Sequence, residues 1–216
     1  MEHERALREF LLASTHKFDF NLTDEQIQRF LIYLTQLLEW NRTINLTSIT
    51  DPFEIIVKHF VDSITALCAF DFPIHSLVVD VGSGAGFPGI PLKLVRSDLR
   101  LALIESSNKK CSFLHFIVGA LKLEQVSIHQ ETAQQFALVN PNPIANVIVL
   151  RALKLDDVIQ PAAAILKPTG RLLLYRTERM DEQPVKLFQV ESNHDFTLPL
   201  DHGKRVVTVL KRVALN

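Results

Sequence analysis

Residues 78–94, VVDVGSGAGFPGIPLKL, set Gly82, Gly84 and Gly86 directly behind an apolar β-branched run, with Asp80 two positions before the first glycine. Glycine at such a turn lets backbone lie against a ligand where a Cβ would intrude. A dinucleotide fingerprint would carry a third glycine three residues after Gly84, but Phe87 stands there. That third glycine serves helix packing beside a diphosphate, so GxGxG favours a nucleoside ligand without pyrophosphate. Glu105 closes the next apolar run, 23 residues after Gly82, where a carboxylate can accept both ribose hydroxyl hydrogens. Together these features point to S-adenosylmethionine, with Asp80, Gly82, Ser83, Gly84, Gly86, Phe87, Glu105 and the adjoining Ser106 as the expected binding set. The competing reading is a tight strand-to-helix corner beside a solvated strand-end acid.

The elements that would position these residues are legible. Thr23-Asp24-Glu25-Gln26 has capping-box spacing, and Ile27, Phe30, Leu31, Leu34, Leu37 and Leu38 then recur at the helical period. Asp51-Pro52-Phe53-Glu54 is a second helix start, followed by Phe53, Val57, Phe60, Val61, Ile64 and Leu67 on one face. WNRTINLTSIT, 40–50, is too polar and β-branched to extend either helix. From residue 77 short apolar strands alternate with helical segments: LVVDV (77–81), LALIE (101–105), QVSIH (125–129), NVIVL (146–150) and RLLLY (171–175). RVVTVL, 205–210, is expected as a late edge or hairpin strand. Such alternation predicts an α/β fold, a mostly parallel sheet with helices on both faces. The organisation expected is a helical N-terminal extension, 1–71, packed on a main domain, 72–216.

Composition narrows the classes. At 216 residues, 47% hydrophobic and 22% charged, the chain suits one α/β domain with a small appendage. No apolar run approaches the roughly eighteen residues of a membrane span, and the MEHERALREF start lacks a secretory pattern, so a cytoplasmic protein is expected. Cys68 and Cys111 have neither disulfide nor zinc spacing. The net charge of −1 argues against a generic nucleic-acid coat. Residues 1–71 carry six Lys/Arg against eleven Asp/Glu, whereas 72–216 carry seventeen against thirteen. If a polyanion is the substrate, the second part should make most of the phosphate contacts; otherwise the asymmetry is solvated surface charge.

Several motifs in order, WNRTINLTSITDP, KHFVDSI (58–64), VVDVGSGAGFPGIPLKL and LIESSNKKCSFL (103–114), resemble those of the bacterial small-subunit ribosomal RNA guanine-N7 methyltransferases, formerly called glucose-inhibited division protein B. The resemblance runs from about 25 to 155. It implies a class I S-adenosylmethionine-dependent methyltransferase fold, Rossmann-like, and as acceptor a guanine in 16S ribosomal RNA, free or in the 30S particle, with a monomeric enzyme expected. Gly82 and Phe87 match positions that contact the cofactor in that family, and Ala133 and Gln134 fall near the adenine. Arg151, in LRAL, matches an Arg-Ala pair ending the fourth strand and is placed in both the cofactor-binding and the catalytic sets, the latter with His59 and Asn45. Gln134, Gln135, Thr132 and Asn146 depart from commoner family residues, and LLLYRTE, 172–178, lacks a frequent Lys-Gly.

The implied chemistry needs no general base. Guanine N7 carries a free lone pair, so methylation is an in-line displacement governed by positioning. An Asn/Asp-Pro-Pro-aromatic turn for exocyclic amines and a cysteine nucleophile after proline for pyrimidine C5 are both missing. Arg151 could contact the cofactor, guanine O6 or a phosphate, or form a surface ion pair. His59 and Asp62, one helical turn apart, read either as a polar pair closing over the site or as a packed histidine held by its neighbour. Asn45 could orient the base or cap its loop. Lys109, Lys110, Lys204, Arg205, Lys211 and Arg212 are candidate phosphate contacts; Trp40 is expected in packing and Phe87 in the cofactor pocket. The rival functions are a same-fold enzyme with a drifted small-molecule acceptor and a ribosome-associated module without turnover. A nicotinamide dehydrogenase is disfavoured by Phe87.

Overall fold

The computed structural model describes residues 2–181 and 187–213. Its centre is a seven-stranded sheet in the order β3-β2-β1-β4-β5-β7-β6. The strands are β1 (Leu77–Val81), β2 (Arg100–Ile104), β3 (Val126–His129), β4 (Ala145–Arg151), β5 (Leu166–Arg176), β6 (Phe188–Thr197) and β7 (Lys204–Arg212). The first five are parallel; β7 runs antiparallel to both β5 and β6. β1 pairs with β2 on one side and β4 on the other, so the winding direction reverses there and leaves a crevice beyond the carboxyl ends of β1 and β4.

Because successive side chains of a strand face opposite ways, each central strand feeds two apolar layers. Val78, Leu101, Leu103, Val147, Val149, Leu173, Val207 and Val209 enter one core; Val79, Val81, Ala102, Ile104, Ile148, Leu150, Leu172 and Leu174 enter the other. The first layer is covered by the N-terminal helices α1 (Glu2–His16) and α2 (Asp24–Asn41), the helical stretch from Pro52, and later α6 (Gly89–Val95) and α7 (Asn108–Ala120). The second is covered by α8 (Ala133–Val139) and α9 (Leu155–Ile165). Leu11, Phe30, Leu34, Leu37 and Ile55 thus share one continuous core with the sheet.

The expected capping box forms: Thr23 Oγ1 accepts from Gln26 N at 3.2 Å and Gln26 Oε1 from Thr23 N at 2.9 Å, starting α2. Thr132 and Gln135, two of the departures noted in the sequence, make a second such box at the start of α8. RVVTVL takes the hairpin alternative and not the edge: β7 pairs antiparallel with β6 and lies between it and β5, and β6 forms the edge. Two expectations need revision. β5 starts five residues before RLLLY. The helix expected from Asp51 is interrupted after α3 (Pro52–Ile55) by a π-helical turn, Ile56–Val61, before α4 (Asp62–Ile64) and α5 (Ala66–Ala69).

Candidate active site at the carboxyl edge of the sheet

The glycine loop follows β1 and is tied to the end of β2. Gly82 N and Ser83 N both donate to Ile104 O, at 2.8 and 3.0 Å, while Ser83 O accepts from Gly86 N and Phe87 N. Gly82, Gly84 and Gly86 all have positive φ, at 69°, 60° and 97°. The last two serve different ends. A Cβ on Gly86 would meet Ile90 Cδ1 at 2.4 Å and the Tyr33 hydroxyl at 2.9 Å, whereas one on Gly84 would find nothing nearer than 4.0 Å. Gly86 is demanded by packing; Gly84 opens a cradle.

Glu105 anchors that cradle. One of its oxygens accepts from Gly84 N at 2.9 Å and the other from Ser107 N at 2.8 Å, which orients the carboxylate with lone pairs to spare. Ser106 beside it is exposed. Ser83 is 2% exposed, and its hydroxyl has no hydrogen-bond partner among the described residues. Asp80, expected among the cofactor contacts, lies beneath the loop. Its Oδ2 accepts from Gly89 N at 2.8 Å, and burial pushes the carboxyl up to about 7. It shapes the corner and lines no cavity described here.

Two cavities meet above this edge. One, of about 240 Å³, is lined by Thr47, Gly82, Ser83, Gly84, Phe87 and Lys110 among others; the second, of about 510 Å³, by Lys58, Asp62, Tyr175, Arg176, Glu178 and Arg205 among others. They share His59, Arg151, Ala152 and Leu153. Arg151 ends β4 and is gripped on several sides: Nη1 donates to Lys58 O at 3.0 Å and lies 3.4 Å from Asp62 Oδ2, Nη2 donates to His59 Nδ1 at 3.2 Å, and the guanidinium carbon sits 5.1 Å from the Phe87 ring centre. Arg205 Nε lies 3.2 Å from the other Asp62 oxygen.

The π turn explains the grip. Asp62 N donates to Val57 O and His59 O, skipping the i−4 carbonyl, so Lys58 O is released for Arg151. A guanidinium can only donate, so His59 Nδ1 must be the unprotonated nitrogen and Nε2 carries the hydrogen to Thr47 Oγ1, 2.7 Å away. Burial, reinforced by the Arg151 charge, lowers His59 to about 3. Phe87 is buried and stacks with His59 at 4.7 Å and with Tyr33 at 5.2 Å; the Tyr33 hydroxyl donates to Ala85 O. Burial raises Asp62, against the pull of Arg151 and Arg205.

The remaining sequence expectations separate cleanly. His59, Arg151, Phe87 and the glycines converge; Asn45 does not. It is exposed, and the loop is held by Asn41 instead, whose Oδ1 accepts from Leu46 N and Thr47 N and whose Nδ2 donates to Thr47 O. Ala133 is buried, while Gln134 is exposed and donates to Asp157 O at 3.0 Å. Trp40 packs against Phe113 and Phe116. Tyr33, Thr47 and the Lys58 carbonyl were not foreseen: two act through backbone or ring contacts across the fold, and the third is main chain.

The seven-stranded, mostly parallel sheet with an open glycine cradle at its switch point has the fold of the class I S-adenosylmethionine-dependent methyltransferases. Solved structures of similar fold include TrmN from Thermus thermophilus, with a TM-score of 0.57 and 17% identity over 71% of this chain and 48% of that chain. TYW2 from M. jannaschii in complex with AdoMet superposes with a TM-score of 0.53 and 18% identity, over 70% of this chain and 77% of that chain. The chain belongs to the family described as rRNA small subunit methyltransferase G, whose pattern matches residues 26–204. Ribosomal RNA small subunit methyltransferase G of Staphylococcus carnosus is 34% identical over 215 residues, covering 94% of this chain and 90% of that one. The Oceanobacillus iheyensis protein of the same name is 31% identical over 210 residues, 89% of this chain and 85% of that one.

Proposed function

We propose that this protein transfers the methyl group of S-adenosylmethionine to N7 of a guanine in 16S ribosomal RNA. The observation that carries the reading is the pair of adjoining cavities with Arg151 and His59 in their common wall. Gly82, Ser83, Gly84 and Glu105 suit the donor: the cradle is open where a side chain would fill it, and the buried Ser83 hydroxyl lacks a partner. The donor supplies an electrophilic methyl, which the N7 lone pair takes as the carbon–sulfur bond breaks. No proton moves in that displacement.

What the chain itself contributes is placement and charge. Arg151, fixed by Lys58 O, His59 and Phe87, presents a guanidinium edge where guanine O6, the neighbour of N7, would lie. His59 stays neutral at pH 7, which keeps a further positive charge away from a reaction that already carries one. Asn45 is left without a role in this scheme, and neither Ala133 nor Gln134 is among the residues lining the donor cavity. We further propose that the protein acts as a cytoplasmic monomer on the 30S particle. No helix among the described residues is long and apolar enough to cross a membrane.

The test is transfer of labelled methyl to small subunits from a strain lacking the modification, followed by mapping of the labelled base. Label at N7 of one guanine is expected. Label confined to a small molecule, or none at all, would reject the reading.

A further inference from the structure

The larger cavity contains two acids, and they differ in what they can still do. Asp62 is 2% exposed and shared between Arg151 and Arg205. Glu178 stands exposed on the loop after β5, and its carboxylate forms no ion pair or hydrogen bond among the described residues. Its main chain is held: Glu178 O accepts from Arg176 Nε at 3.3 Å, and the end of β5 is tied to α4 by the Tyr175 hydroxyl on Ser63 O. Glu178 therefore lines the space of about 510 Å³, with its carboxylate unpaired among the described residues, and does not line the smaller cavity that holds the glycine cradle.

We propose that Glu178 selects the base, its carboxylate accepting N1–H and N2–H of the guanine being methylated. This rests on the reading given under Proposed function. With N7 and O6 turned to the common wall, where Arg151 stands, the opposite edge of the six-membered ring projects into the larger cavity. Guanine alone among the bases offers two adjacent N–H donors on that edge, which a carboxylate matches with two acceptor oxygens. Adenine presents a lone pair at N1 and is repelled. Asp62 cannot serve, since its oxygens are turned to two arginines. Acid at 178 thus complements arginine at 151, one reading each edge of the same ring.

The experiment compares small subunits reconstituted around RNA that carries either guanine or inosine, which lacks only the 2-amino group, at the mapped position. The wild-type protein is expected to lose roughly tenfold to a hundredfold in kcat/KM on inosine. Glu178→Ala should lose a similar factor on guanine, treat the two bases alike, and keep its donor affinity. If Glu178→Ala is poorly folded, Glu178→Gln, with one acceptor oxygen left, should show reduced discrimination. Undiminished discrimination in these variants, or none in the wild type, overturns the assignment. Failure of the wild type to label the guanine particle at all overturns the underlying reading, and this inference falls with it.

Discussion

At the scale of single residues, the loop glycines make separable predictions. Gly84→Val faces a strained positive φ, costing roughly 1–2 kcal/mol, but no steric neighbour, so the variant should unfold cooperatively with a modestly lowered Tm. Its new side chain fills the cradle, and calorimetric titration should find donor binding abolished. Gly86→Val drives methyl groups into Ile90 and Tyr33 and should lose far more stability, read as a larger fall in Tm. Normal donor binding by Gly84→Val would mean that the loop is not the donor site. The sequence displayed both glycines alike; only the three-dimensional neighbours distinguish the one kept for packing from the one kept for space. Glu105 was legible as a strand-end acid, yet the N–H groups of Gly84 and Ser107 that orient it were not. Asn45 reads from sequence as orienting the base or capping its loop; it is Asn41, the last residue of α2, that holds the loop, through Leu46 and Thr47.

At the scale of elements, the π turn and the loop between α2 and α3 hold His59 neutral in the folded protein, at about 3 against an ordinary 6.5. Between those values the unfolded chain binds a proton that the native state refuses, so stability is present above pH 6.5 and is lost as pH falls toward 3. Asp80 acts in the opposite direction: raised to about 7, it favours the native state fully below pH 3.8, and that contribution fades as pH rises through 7. The two slopes oppose one another across the window from 3.8 to 6.5. His59→Gln removes the first of them, so chemical unfolding of that variant should show stability that rises more, or falls less, than the wild type's on acidification from pH 6.5 to about 4. A parallel pH dependence in variant and wild type would place the titrating group elsewhere. The βα alternation and both helix starts could be read from sequence because period and capping are local signals. β6 could not: FQVESNHDFT alternates weakly, is mostly polar at a sheet edge, and shifts register between Val190 and Ser192. The π turn was equally hidden, since the apolar spacing of 53–67 fits an uninterrupted helix.

At the scale of the whole molecule, the excess of cations over acids in 72–216 suggested a phosphate-binding half, and the structure qualifies it. Of the four lysines and arginines lining the larger cavity, Lys58 pairs with Glu54, Arg151 and Arg205 share Asp62, and Arg176 is exposed with no ion pair among the described residues. Arg212 is turned to Leu166 O, while Lys109 and Lys204 are exposed. With three of the four lysines and arginines at the larger cavity already paired, the cavity itself releases few counterions when RNA binds. Fluorescence anisotropy with the target RNA should give a shallow log–log salt slope, about −1 to −3, corresponding to a handful of phosphates at roughly 0.7 each for single strands. A slope near −8 would require a broad basic footprint. Recognition then depends on the shape of the cavities and on base edges more than on the backbone of the substrate.

The released Lys58 carbonyl has a genetic corollary. A π turn is what an ordinary helix becomes when one residue is added to it. Loss of a single codon between those for Ile56 and Val61 would let the ladder close without a gap, withdraw the acceptor from Arg151, and rotate His59 away from Phe87 by most of a third of a turn. Substitutions in this stretch leave the count intact, but an in-frame deletion of one residue would not. Here the length of the chain, independent of its side chains, is itself under constraint.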